Sequence, residues 1–67
     1  MNNPILKNTK DFYLFVFPNG FEYEVDKKTC RTERQANEWI AHLAEKNWWS
    51  GELEKYFIEQ WLKDNSV

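Results

Sequence analysis

Asp11-Phe12-Tyr13-Leu14-Phe15-Val16-Phe17-Pro18-Asn19-Gly20-Phe21-Glu22-Tyr23-Glu24-Val25-Asp26 is the run whose reading decides how the chain folds. Phe12 to Phe17 is aromatic and β-branched with a single Leu, and Phe21 to Val25 alternates apolar residues with acids, the period of a half-buried strand. Pro18-Asn19-Gly20 separates the two. A two-residue Asn-Gly loop would put Pro18 in the closing hydrogen-bonded pair, and proline has no N–H to donate. A three-residue loop avoids this: Pro18 and Asn19 take the centre of a type I turn, and Gly20 takes the left-handed position of a G1 bulge. The register follows, with Phe17 opposite Phe21, Phe15 opposite Tyr23 and Tyr13 opposite Val25. One ribbon face then carries Tyr13, Phe15, Phe17, Phe21, Tyr23 and Val25, and is expected to be the core face. The other face pairs Val16 with Glu22, Leu14 with Glu24 and Phe12 with Asp26, half apolar and half acidic.

Downstream, Asp26-Lys27-Lys28-Thr29 reads as a tight turn, and Thr29-Cys30-Arg31 as a candidate short third strand, since a two-stranded sheet is marginal alone. Thr32 and Gln35 have capping-box spacing. They open a helix whose Ala36, Trp39, Ile40, Leu43 and Ala44 recur at amphipathic intervals. Asn47 is the expected left-handed residue at its end, with Lys46 favourable in the last turn. Ser50 is a natural N-cap for a second helix, with Glu52 and Glu54 at its positive end. At about 100° per residue, Leu53, Phe57, Trp61, Ile58, Leu62 and Tyr56 cover an arc of roughly 240°. That arc exceeds what one hairpin and one helix readily cover. Between the helices lie Trp48 and Trp49, where small polar residues are usual; one is expected to plug the corner and the other to stand exposed.

Upstream, residues 1–10 are polar, with only Ile5 and Leu6 to bury, and read as an extended, flexible tail. The expected fold is therefore α+β: a β-hairpin, with a short third strand as an option, then two antiparallel helices packed on its aromatic face. This makes one ββαα domain over residues 11–67.

Sixty-seven residues is a size at which one core is barely sufficient. A single cysteine closes no intrachain disulfide, so the staple is aromatic: five Phe, three Tyr and four Trp. Nine basic against eleven acidic residues leave no electrostatic footprint for a phosphate backbone. The acids concentrate in residues 32–67, seven against four Lys or Arg. No apolar run reaches bilayer-spanning length and residues 1–4 lack signal-peptide character, so a cytoplasmic setting is expected.

No motif points to chemistry, and no catalytic, cofactor or metal residues are expected. His42, between Glu38 and Glu45 on its helix, has no nucleophile in view and reads as an ordinary exposed histidine. Cys30 reads as a small apolar residue at the core edge. Glu22, Glu24 and Asp26 lack the spacing and Gly-bearing loop of a calcium site. A helix-turn-helix reading fails because the second helix begins Gly51-Glu52, where bases would require Arg, Lys, Asn or Gln.

What stands out is apolar surface in excess of what one small globule hides. The expected role is a non-enzymatic protein-binding module, an adaptor or inhibitor acting by occlusion, with a homodimer as one form of it. Its partner would be another protein, matched to the acids by a basic surface. The candidate binding residues are Trp48, Trp49, Ile58 and Leu62 on the helical side and Phe12, Leu14, Val16, Glu22 and Glu24 on the ribbon. Strand Phe12–Phe17 could also accept an added strand along its edge. The alternatives are a nucleic-acid-binding regulator stacking bases on exposed aromatics, disfavoured by charge, and a structural subunit of a larger assembly.

Overall fold

The computed structural model describes residues 3–65. Three strands, β1 (Ile5–Asn8), β2 (Phe12–Val16) and β3 (Glu22–Asp26), form an antiparallel sheet in that order, followed by helices α1 (Glu33–Leu43) and α2 (Gly51–Asn65).

The hairpin register is the one the turn chemistry dictates: Tyr13 opposes Val25, Leu14 opposes Glu24, Phe15 opposes Tyr23 and Val16 opposes Glu22. Gly20 sits at φ +92°, its N–H donates to the Phe17 carbonyl at 2.9 Å, and the Phe17 N–H donates to the Phe21 carbonyl at 2.8 Å. The third strand is not where the sequence suggested. Lys27–Thr29 forms a 3-10 turn capped by the Asp26 side chain, and Cys30 turns into the core. The strand comes instead from the segment read as a flexible tail: Ile5, Leu6, Lys7 and Asn8 pair with Val16, Phe15, Leu14 and Tyr13. Thr9 closes this second hairpin through its side chain, the hydroxyl accepting from the Phe12 N–H at 3.0 Å. β2 is consequently the central strand, and the edge open to strand addition belongs to β1 and β3, not to β2.

Both helices contribute to one core on the inner sheet face. Leu6, Tyr13, Phe15, Val25, Cys30, Ala36, Leu43 and Phe57 are buried. Phe15 is its hub, with Trp48, Trp49, Phe57 and Tyr23 ring centroids 5.3, 5.8, 6.2 and 6.5 Å away. The aromatic face thins towards the hairpin tip. Phe17 and Tyr23 are half-buried, and Phe21, expected inside, is 58% exposed because it lies beyond the last strand pair, its ring 5.6 Å from that of Phe17.

The capping box forms as the spacing predicts, with the Gln35 N–H donating to the Thr32 hydroxyl at 3.1 Å and the Gln35 amide oxygen accepting from the Thr32 N–H at 3.3 Å. The end of α1 differs from expectation. The helix stops at Leu43, Ala44 is right-handed, and no non-glycine among the described residues has positive φ, so Asn47 makes no left-handed cap. Successive turns, Lys46 N–H to Leu43 carbonyl and Trp49 N–H to Lys46 carbonyl, take its place. Ser50 caps α2 as expected, accepting from the Leu53 N–H at 3.2 Å.

Candidate docking face

The turns after α1 lead Trp48 and Trp49 into the core corner, and both are half-buried. Trp48 packs on Phe15, Phe17 and Tyr23 at 5.3, 5.2 and 5.5 Å. Trp49 packs on Phe15 and Phe57 and donates to Glu54 at 3.3 Å. The expected division, one indole inside and one outside, does not occur: both rings pack on Phe15 and its aromatic neighbours.

The remaining candidate residues separate into two places. Ile58, half-buried, and Leu62, 53% exposed, line a groove between the helices with Ala36, Ile40 and Trp61. Phe12, Leu14, Val16, Glu22 and Glu24 lie on the outer sheet face, because they alternate with the inward Tyr13, Phe15, Tyr23 and Val25. The candidate residues thus lie in three regions of the fold.

The outer face is the coherent one. β2 supplies a central column, Phe12, Leu14 and Val16, each half-buried between its flanking strands. None of the three belongs to the core or to the half-buried side chains packed against it. β1 contributes Ile5, opposite Val16 and 69% exposed, and Lys7, opposite Leu14. β3 contributes Glu22 and Glu24, both exposed. Asp26 is turned aside, its carboxylate accepting from the Lys28 N–H at 2.9 Å. Ile5 and Lys7 were not singled out from the sequence, because their place on this face depends on the pairing of β1. Both helices lie over the other side.

The polar chemistry of the molecule lies elsewhere and ties the fold together. Asp64 near the end of α2 accepts from the Tyr13 hydroxyl at 2.9 Å and the Asn8 amide at 3.0 Å, and pairs with Lys27 at 3.0 Å. Burial alone would raise the Asp64 carboxyl, but hydrogen bonds from Lys27, Tyr13 and Asn8, with the Lys27 charge, hold it below the ordinary value. Burial, then the bond to Asp64 and its negative charge, pushes the Tyr13 phenol up. Burial likewise pushes the Cys30 thiol up to about 11, a setting that suppresses the thiolate. Trp61 donates to the Cys30 carbonyl at 2.7 Å. His42 is exposed, with the Trp39 ring 5.9 Å away. Among the described residues no three His, Cys, Asp or Glu side chains converge as a metal site would require, and no helix is long and apolar enough to cross a membrane.

No family model matches the chain, and neither the curated proteins nor the solved structures searched give a match.

Proposed function

We propose that the chain is a small protein-binding module that acts by occlusion, as an adaptor or inhibitor, through the outer face of its sheet. One observation carries this reading: a three-residue apolar column, Phe12, Leu14 and Val16, extended by the exposed Ile5, on a sheet face over which no helix lies. A one-sided antiparallel sheet ordinarily turns polar residues to water along its outer face. Here β2 turns apolar ones there, and contiguous apolar patches mark interaction sites. Glu22 and Glu24 along one side favour a protein surface over phosphates. Of the three rings on β2, Tyr13 and Phe15 are fully buried and Phe12 alone lies on the outer face, too few for a run of stacked bases, which supports the protein reading over the nucleic-acid one.

The test compares two baits, the natural chain and Leu14→Lys, whose fold is checked by circular dichroism and thermal melting. A docking role predicts that the natural chain retains a binding protein, itself included, that Leu14→Lys releases while melting within a few degrees of it. Equal retention by both baits would remove the outer face from the function.

A further inference from the structure

Across the middle of the outer face runs one row: Lys7 on β1, Leu14 on β2 and Glu24 on β3, directly opposite one another in the two ladders. Residues so opposed share a face. Lys7 and Glu24 are exposed, and neither makes an ion pair among the described residues. They stand two strand spacings apart, about 10 Å, and both project from the same side of the sheet with Leu14 between them, not towards each other. A cation, an apolar centre and an anion therefore stand in line, with both charges open to solvent.

We infer that the occupant of this face is a second copy of the same chain, packed sheet to sheet about a twofold axis parallel to β2. The inference rests on the docking role of the face and names the partner. An isologous interface brings each residue of a patch against the same patch turned around. A twofold parallel to β2 lays β1 of one copy over β3 of the other. Leu14 then meets Leu14 of the second copy, Lys7 meets its Glu24, and Glu24 meets its Lys7. A twofold across the strands would instead lay β1 over β1, with lysine against lysine and glutamate against glutamate. The charges therefore select the first axis. Aligned sheets pack about 10 Å apart, a gap that facing Lys and Glu side chains span, and a rotation of about 30° between sheets moves flanking strands by only a few ångströms. Phe12 and Val16 extend the apolar contact on either side of Leu14, while Ile5 lies over the stem of the second copy's Glu22 at the rim.

The footprint is small. Three strands at about 4.8 Å and five residues at about 3.3 Å cover roughly 14 by 17 Å. A standard interface buries about 800 Å² per partner, so the self-association is weak, with dissociation in the range of about 10 µM to 1 mM.

Sedimentation equilibrium from about 10 µM to 1 mM tests this. The natural chain is expected to move from its monomer mass of 8.2 kDa towards twice that value. Lys7→Glu and Glu24→Lys each put like charges in contact twice over and weaken association roughly tenfold. The double variant Lys7→Glu/Glu24→Lys restores it, because the exchange reproduces both pairs with signs reversed. Both sites are exposed, so all three variants are expected to melt with the natural chain. In a mixture of light and isotope-labelled chains, a zero-length carbodiimide should join Lys7 of one copy to Glu24 of the other, a readout that does not depend on any variant. A chain monomeric throughout the range, or a double variant no better than the singles, overturns the inference. If the chain stays monomeric yet the Leu14→Lys bait releases a protein that the natural bait holds, the face docks a foreign partner and only the second copy is lost. If Leu14→Lys changes neither mass nor capture, the docking role falls too.

Discussion

The Tyr13 hydroxyl donates to the Asp64 carboxylate at 2.9 Å, joining the middle of the central strand to the end of the last helix. Asn8 and Lys27 reach the same carboxylate oxygen, so one acid gathers β1, β2 and the 3-10 turn. Hydrogen bonds to a charged group contribute about 1.5–3 kcal/mol each when shielded. The Asp64 side chain is 32% exposed, so solvent screens these bonds and its replacement by Ala is expected to cost less than their sum, about 1–2 kcal/mol, read as a lowered urea midpoint.

The same cluster sets the pH limits of stability. The Asp64 carboxyl is depressed in the folded chain, so its contribution is complete above the unfolded value near 4 and is lost as pH falls through the lower folded one. The Tyr13 phenol is raised, so its contribution is complete below the unfolded value near 10 and is lost as pH climbs beyond it. Asp64→Asn should flatten the acid limb of a stability profile between pH 2 and 7, and Tyr13→Phe the alkaline limb. Unchanged limbs in these variants would assign the pH response to other groups.

Phe15 and Leu14 are neighbours in sequence with opposite expected consequences. Phe15→Ala removes the buried hub of the aromatic core and should cost about 3–5 kcal/mol, enough to leave so small a domain largely unfolded at 25 °C. Leu14→Lys faces outward and should change stability by about 1 kcal/mol or less. Circular dichroism melts of the two variants check this directly.

The two glycines are expected to respond with opposite signs. A Cβ at either meets nothing within 4 Å, so backbone conformation decides. Gly20→Ala forces an alanine to φ near +92° and should destabilise by about 1 kcal/mol. Gly51→Ala, in the first turn of α2 without positive φ, should stabilise by about 0.5–1 kcal/mol. Opposite shifts in melting temperature are the signature.

Cys30 is 2% exposed with its thiol raised to about 11. Below that value the thiolate is scarce, and a thiol reagent at pH 8 should react at least about 100-fold faster in denaturant than with the native chain. Similar rates in the two states would place the side chain at the surface.

The hairpin was legible from the sequence because two local signals agreed: Pro18 excluded the shorter loop, and the apolar and acidic alternation fixed which residues face which. β1 was not legible. Ile5 and Leu6 are adjacent and do not alternate with apolar neighbours, and the strand exists only because β2 offers its edge. The Asp64 cluster had no local sign either, since its partners lie at positions 8, 13 and 27. Of the outer sheet face, the β2 column and the acids were readable from register alone. Lys7 and Ile5 were not, because they depend on β1, and Trp48 and Trp49 were misplaced because no periodicity says which way a turn will aim its side chains.

Asn8 meets Asp64 across 56 positions of chain, so the first strand is latched to the last turn of α2. A ribosome delivers these two partners in succession. Until residue 64 has emerged from the exit tunnel, the first strand has no carboxylate to hold it, and its Leu6 lacks the helical roof that α2 will provide. A chain stalled before α2 has emerged would therefore present its aromatic ribbon to the chaperones.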